Sequence, residues 1–569
     1  MKLLPIHQQI KTITYCLLLV LLASCSSSPE SLKTIPENTN AITVIDVFSL
    51  YKKGNLKDLE DLEFFKAFQK EIRNEDKKVA RFIDDLKEDP TMSGIDFTKD
   101  VFLYYIDEAS DEKFFCVSLD LKSEEKFVEF LEDLLDKGGV DFDVEEEDLY
   151  KYIIVKNEVA FAWDSKKAII LTAENWSSRE NLDLEVEALF ELKGNKQISA
   201  NKEFMSFYGN KKDINFWMSS NLFESNYYFK DLGKELDVDL KDNYISAYLE
   251  FEDDRISLQG KMFPNEEVRE MLKKDNIWNH DFNTSILNYL PKQSFASAAM
   301  SFDTSEYYKL MQEEGDIDKV EKEFEKEMGF ELEEFFESLN GSVMFNLSNI
   351  EETTYEYETY KMVYNENKTR LYNALNNEYY YEGGYEYKDT TETRTTTLPI
   401  MSLVFDMNTD KYLKKIINKI PEDKIEDKDD YYEVKLDRSY SGYFAFNDDV
   451  CLFTNDKASI KAFKDGGLGS NSLSSSSKAS DFSKGGYYGY LNLNYDEYPK
   501  EIKKLLKDKQ SDKEEEMFNI WTDFARGVEV KMVDNFTMEF NLETKDNNKN
   551  SLQLLLELID ESFESYSSL

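Results

Sequence analysis

The chain has 569 residues, enough for two or more domains, and its 41% hydrophobic and 14% aromatic content is enough to pack their cores. Lys and Arg total 69 against 115 Asp and Glu, a net charge of -46 spread along the whole chain. Such a surface repels nucleic-acid phosphates and anionic headgroups, which excludes nucleic-acid binding and electrostatic membrane binding as the main role.

Lys2 and Lys11 precede an apolar run over 16–23. The run is too short to span a bilayer and has the length of a signal-peptide core. It ends in Leu22, Ala23, Ser24 and Cys25, which resembles the bacterial lipobox. The resemblance implies a signal peptide over 1–24 and a mature chain starting at Cys25, which would carry a diacylglycerol and a fatty acid. Several acyl chains together make a stable membrane anchor. Ser26 follows Cys25 where an Asp would suggest inner-membrane retention, so an outer-membrane destination is expected. The tether over 25–40 lacks a dense acidic cluster, and the protein is expected to face the periplasm, with surface exposure as the alternative.

A strand is predicted over 41–46, a helical region over 56–86, and strands over 101–106 and 114–121. Ser123, followed by Glu124 and Glu125, is a helix N-cap with acidic groups in the first turn. It opens a block of one amphipathic helix (Phe127, Phe130, Leu131, Leu134) and strands at 150–156, 161–163 and 168–172. Helical patches follow over 176–192, 201–208 and 222–240, with a strand over 214–218 and a hairpin over 244–251 and 255–263. The block then returns: Leu413, Ile416, Ile417 and Ile420, then strands at 431–436, 444–446 and 450–454. A second closing hairpin around Val528–Met532 and Phe536–Leu542 repeats the alternation of the first. The reading is an α+β fold of two tandem related halves, 41–280 and 281–569, each a mainly antiparallel sheet with helices packed on one face. The two blocks share apolar pattern, caps and turns rather than a polar constellation.

The halves differ most over 351–397, an insert dense in tyrosine that reads as a long hairpin with a mobile polar tip near 365–377. Tyr355, Tyr357, Tyr360, Tyr379, Tyr380, Tyr381, Tyr385 and Tyr387 form its candidate interaction surface, because a tyrosine joins an apolar ring to a polar end. The alternative is that these rings pack on their own protein as β-favouring residues. Asp389, Thr390 and Thr391 are similar to an O-glycosylation acceptor of exported Bacteroidota proteins.

Catalytic chemistry has little to stand on. His7 falls in the leader and only His280 remains, so histidine-based triads, Cys–His pairs and zinc sites lack their ligands. No EF-hand, P-loop or nucleophile-elbow pattern is present. Cys116 and Cys451 read as buried free thiols. No catalytic, metal or cofactor site is assigned. The lipobox, the duplicated block and the Tyr-rich insert resemble a family of Bacteroidota lipoproteins catalogued only as a domain of unknown function; that resemblance implies class and compartment and no site residues. The expected role is non-enzymatic binding or scaffolding of an envelope component. Carriage of a lipid or lipoprotein in an apolar groove is the alternative, and a carboxylate-based hydrolase a third.

Overall fold

The computed structural model describes residues 29–569 apart from 76, 78–80, 82–83, 86–88, 108–111, 223–238, 275, 279–280, 314, 316, 437–439, 508–511 and 568–569. Cys25, His280 and most of the helical patch expected over 222–240 lie outside the described residues. The strands of the first part are β1 (Ala41–Ile45), β2 (Val101–Asp107), β3 (Lys113–Asp120), β4 (Glu145–Glu146), β5 (Lys151–Val155), β6 (Val159–Trp163), β7 (Lys167–Ala173), β8 (Ile214–Ser219), β9 (Tyr244–Phe251) and β10 (Arg255–Phe263). They are followed by β11 (Ala296–Ser301), β12 (Leu339–Asn373), β13 (Glu378–Met407), β14 (Ile425–Asp427), β15 (Tyr432–Lys435), β16 (Ser441–Phe446), β17 (Val450–Thr454), β18 (Tyr487–Asn492), β19 (Ala525–Asp534) and β20 (Thr537–Thr544).

The chain forms two compact units, Met1–Asn276 with Ser511–Leu569, and Ile277–Gln510. Strands of the first unit pair antiparallel in the order β4-β5-β6-β7-β3-β2-β1-β8-β9-β10-β20-β19. Those of the second pair antiparallel in the order β14-β15-β16-β17-β13-β12-β11-β18. The fold is therefore α+β. The C-terminal hairpin β19–β20 belongs to the first unit, where β20 runs along β10 with Ile256 opposite Leu542 and Leu258 opposite Phe540.

Helices cover both faces of the central strands, which corrects the expectation of a single helical layer. In the first unit the helix Glu124–Lys137 starts at Ser123, whose side chain accepts from the Lys126 amide at 3.3 Å, and buries Phe127, Phe130, Leu131, Leu134 and Leu135. Those residues share a core with Val159, Phe161 and Trp163 of β6, where the Phe127 and Trp163 rings meet edge to face at 5.9 Å. The alternate β6 residues, Ala160 and Ala162, face a second core with Leu182, Val186 and Leu189 of the helix Leu182–Glu191. All five β6 residues are buried because both parities are apolar, the pattern of a strand covered on two sides. The second unit does the same. Cys451 and Phe444 pack with Leu413 on one face, while Ala445 and Leu452 pack with Ile286 and Leu287 on the other. The Cys116 and Cys451 thiols are buried and free, and burial pushes each up from its ordinary value.

Local devices recur at matching steps. Asp46, after β1, accepts from the Ser49 amide, and Asp303, after β11, accepts from the Ser305 and Glu306 amides. Asn175, after β7, caps through the Ser178 amide and hydroxyl, and Asp456, after β17, does so through those of Ser459.

Candidate functional site

Two strands outrun their sheet. β11 borders β12 only as far as Leu347, and β17 borders β13 only over Ser402–Asp406. Beyond that, among the described residues, β12 and β13 pair only with each other, from Asn349 opposite Ile400 to Asn373 opposite Glu378. The free ribbon extends on the order of 75 Å along β13 at about 3.4 Å per residue. Thr, Tyr and Val alternating with polar residues favour the extended chain. The strands reverse over 374–377, where Asn377 adopts a left-handed φ of 61° that asparagine tolerates and the Asn373 side chain accepts from the Leu375 amide at 3.0 Å. Strand β12 thus runs to Asn373, through the first nine residues of the stretch expected to be a polar tip, with its pairing interrupted between Asn365 and Thr369.

Residues directly opposite in an antiparallel pair share a face, and alternate residues of one strand do too. One face of the distal ribbon carries Tyr360, Met362 and Tyr364 from β12, opposite Asp389, Tyr387 and Tyr385 of β13. Past a register shift between Asn365 and Thr369, β13 continues the same face with Gly383, Tyr381 and Tyr379, opposite Arg370 and Tyr372. The Tyr364 ring lies over Gly383, where an added Cβ would sit 2.0 Å from the phenol oxygen. Tyr364 meets Tyr385 with ring centroids 5.3 Å apart, and Tyr372 meets Tyr379 at 5.1 Å. The seven tyrosines of this face are each 51–74% exposed. Glu378, Glu382 and Glu386 of β13 fall at the alternate positions, on the other face.

The eight tyrosines named from the sequence therefore divide. Tyr360, Tyr379, Tyr381, Tyr385 and Tyr387 lie together, while Tyr355, Tyr357 and Tyr380 lie on the opposite side. There Tyr357 donates to Glu392 at 2.8 Å and receives the Arg394 guanidinium over its ring at 4.0 Å. Met362, Tyr364 and Tyr372 complete the exposed face. Their parity signals membership, but only once the pairing partner of each strand residue is known.

A second surface is the apolar face of the first unit's sheet. Phe216, Ile245, Leu258, Met262, Met538 and Phe540 come from four adjacent strands, and each is about two-fifths exposed (38–42%). Ala247 and Gly260 lie opposite one another between the Leu249–Leu258 and Ile245–Met262 pairs and make a low row in that face.

Two buried acids stand at matching ends of β3 and β13. Asp120 accepts from the Ser31 amide at 2.7 Å and the Glu30 amide at 3.0 Å, and Asp406 accepts from the Ser342 amide at 2.8 Å. Burial pushes both carboxyls up from the ordinary value, outweighing the hydrogen bonds that pull them down. The two blocks thus share a polar element that their apolar pattern did not announce. Its backbone partners make it a clamp on neighbouring segments. A cleft of about 580 Å³ at the root of the ribbon is lined by Ser348, Asn349, Glu351, Glu352, Asp456 and Glu501 among others. Two of its acids are engaged, Asp456 as a helix cap and Glu352 by Lys504 at 2.9 Å. Among the described residues no group of three or more His, Cys, Asp or Glu could hold a metal ion, and no helix is long and apolar enough to cross a membrane.

A family model described as "Domain of unknown function (DUF4836)" matches residues 32–552, and the chain belongs to that family. Neither a curated protein nor a solved structure matches it.

Proposed function

We propose that this member of the DUF4836 family is a non-enzymatic binding protein of the cell envelope, held at the outer membrane by acyl chains on Cys25 and facing the periplasm. One observation carries the binding role: seven exposed tyrosines and Met362 lie on one face of a ribbon whose two strands, among the described residues, pair only with each other. Large exposed apolar patches mark contact surfaces, and tyrosine supplies contact area at low entropic cost. The lipobox residues Leu22–Cys25 support the anchor. We also infer that the chain arose by duplication in a Bacteroidota-type lipoprotein. That inference is supported by the eight-strand order from β4 to β8 recurring from β14 to β18, and by the paired caps Asp46 and Asp303 and the paired clamps Asp120 and Asp406. Replacing residues 353–396 with Asn-Gly joins the opposed residues Glu352 and Thr397 through a two-residue turn. Envelope proteins that co-purify with the wild-type chain should be lost with this variant; an unchanged profile contradicts the binding role.

The apolar sheet face favours a second reading, carriage of a lipid or a lipidated protein. Six half-exposed apolar side chains around a row of Ala247 and Gly260 offer hydrocarbon a surface free of charge. Mass spectrometry of organic extracts from natively purified protein tests it. Retained lipid that disappears in Leu258→Glu supports carriage, and extracts holding only the protein's own acyl chains oppose it.

A further inference from the structure

Resting on the reading of the ribbon as a contact surface, we propose that its occupant is an extended, Lys/Arg-rich segment of a partner protein. The Tyr face changes character along its length. Its distal part, from Tyr360 to Tyr379, carries rings, one methionine and one cation, Arg370. Toward the sheet the same face presents Asp389 opposite Tyr360, then Glu358, Glu356 and Glu352 opposite Thr391, Thr393 and Thr397. Rings therefore lead into a row of carboxylates, with Glu358 and Glu356 about 6.8 Å apart, two residues of strand, and Glu352 about twice as far beyond Thr354.

The ribbon already shows how it receives cations. On this face Arg370 lies 4.0 Å from the centre of the Tyr379 ring, and on the opposite face Arg394 lies 4.0 Å from that of Tyr357, whose hydroxyl donates to Glu392. Lys504, from the helix Lys500–Lys507, sits on Glu352 at 2.9 Å. A guanidinium or ammonium thus finds two receptors on this face, a ring quadrupole and a carboxylate. An extended segment has the same two-residue period as the strand beneath it, so alternate basic side chains meet successive rings and acids. The net charge of -46 draws basic segments in and repels polyanions. A glycan or an uncharged peptide would use the rings and leave the carboxylate line unmatched.

The test uses the purified full chain and a fluorescein-labelled 16-residue peptide of alternating Lys/Arg and Ser, read by anisotropy. The variant Tyr360→Ser, Tyr364→Ser, Tyr385→Ser, Tyr387→Ser keeps the net charge. At a few-fold in affinity per ring, it should weaken binding by about tenfold or more. The corresponding Tyr→Phe variant keeps the rings and should bind as wild type. Glu356→Gln, Glu358→Gln, Asp389→Asn should weaken binding and flatten its salt dependence. Equal binding by the Tyr→Ser variant would assign the affinity to bulk acidity and overturn the proposal. So would equal wild-type binding of a Gln/Ser peptide, of dextran or of a second copy of the chain. A partner captured through the Tyr face that lacks a basic segment overturns this inference and leaves the contact-surface reading standing. Loss of neither partner nor peptide on removing the ribbon overturns both.

Discussion

Trp163 gives the two-sided packing of the first unit's sheet a quantitative test. The side chain is fully buried, its ring edge-on to Phe127 of the covering helix. Trp163→Ala leaves a large void between strand and helix and should cost about 3–5 kcal/mol. The indole Nε1 is buried without a hydrogen-bond partner, a situation that costs about 1–3 kcal/mol. Trp163→Phe removes that donor and keeps a ring against Phe127. The apolar atoms it deletes, at about 0.8 kcal/mol per methylene equivalent, are offset by the relieved donor, so it should fall within about 1 kcal/mol of wild type. Urea unfolding of the full chain, followed by far-UV circular dichroism, measures both. A Phe variant as damaged as the Ala variant would mean that a polar contact of the indole holds the site. An Ala variant with no loss would refute the claim that the helix Glu124–Lys137 seals this face.

The ribbon supplies no residue to the described hydrophobic cores, so replacing residues 353–396 with Asn-Gly should move the melting temperature by less than about 2 °C. A larger fall would make the ribbon part of the fold. Asp406 gives a pH test. Its folded carboxyl is pushed up by burial, above the unfolded value of about 3.9. The unfolded chain therefore releases this proton first as pH rises, and the wild type loses stability relative to Asp406→Asn from about pH 4 until the folded carboxyl has ionised. Urea unfolding of both proteins at pH 4 and pH 7 should show the difference moving toward Asn. Movement toward wild type would mean that the hydrogen bonds from Ser342 and Asn283 outweigh burial. Intact mass of protein from the native envelope should equal the chain from Cys25 plus its acyl groups. A further hexose-type increment would place a glycan, with Thr390 and Thr391 as the first positions to substitute.

Much of the fold was legible because its signals are local. The hairpin over 244–251 and 255–263 has the bounds its alternation and turn implied, and Ser123 caps the helix its hydroxyl announced. The second helical layer was visible in principle: Val159 to Trp163 is apolar at every position, which one covered face does not require. The composition of the Tyr face was not legible. Tyr357 and Tyr360 differ in parity and fall on opposite sides. Whether Tyr379 joins Tyr364 depends on where the register shift between Asn365 and Thr369 is absorbed, a property of the pair of strands. Asp120 and Asp406 were hidden for a different reason. Among 115 acidic residues, burial marks them out only together with Asp100, Asp213 and Glu529, and it is their matching places at the ends of β3 and β13 that set them apart.

The central claim is that the Tyr face meets a partner in the envelope. Place a photo-crosslinking amino acid at Tyr387, on that face, and in a second strain at Lys361, on the opposite face, then irradiate intact cells. The account predicts a discrete crosslinked species from position 387 and none of the same mass from position 361. Identical products from both positions, or none from 387, would contradict it.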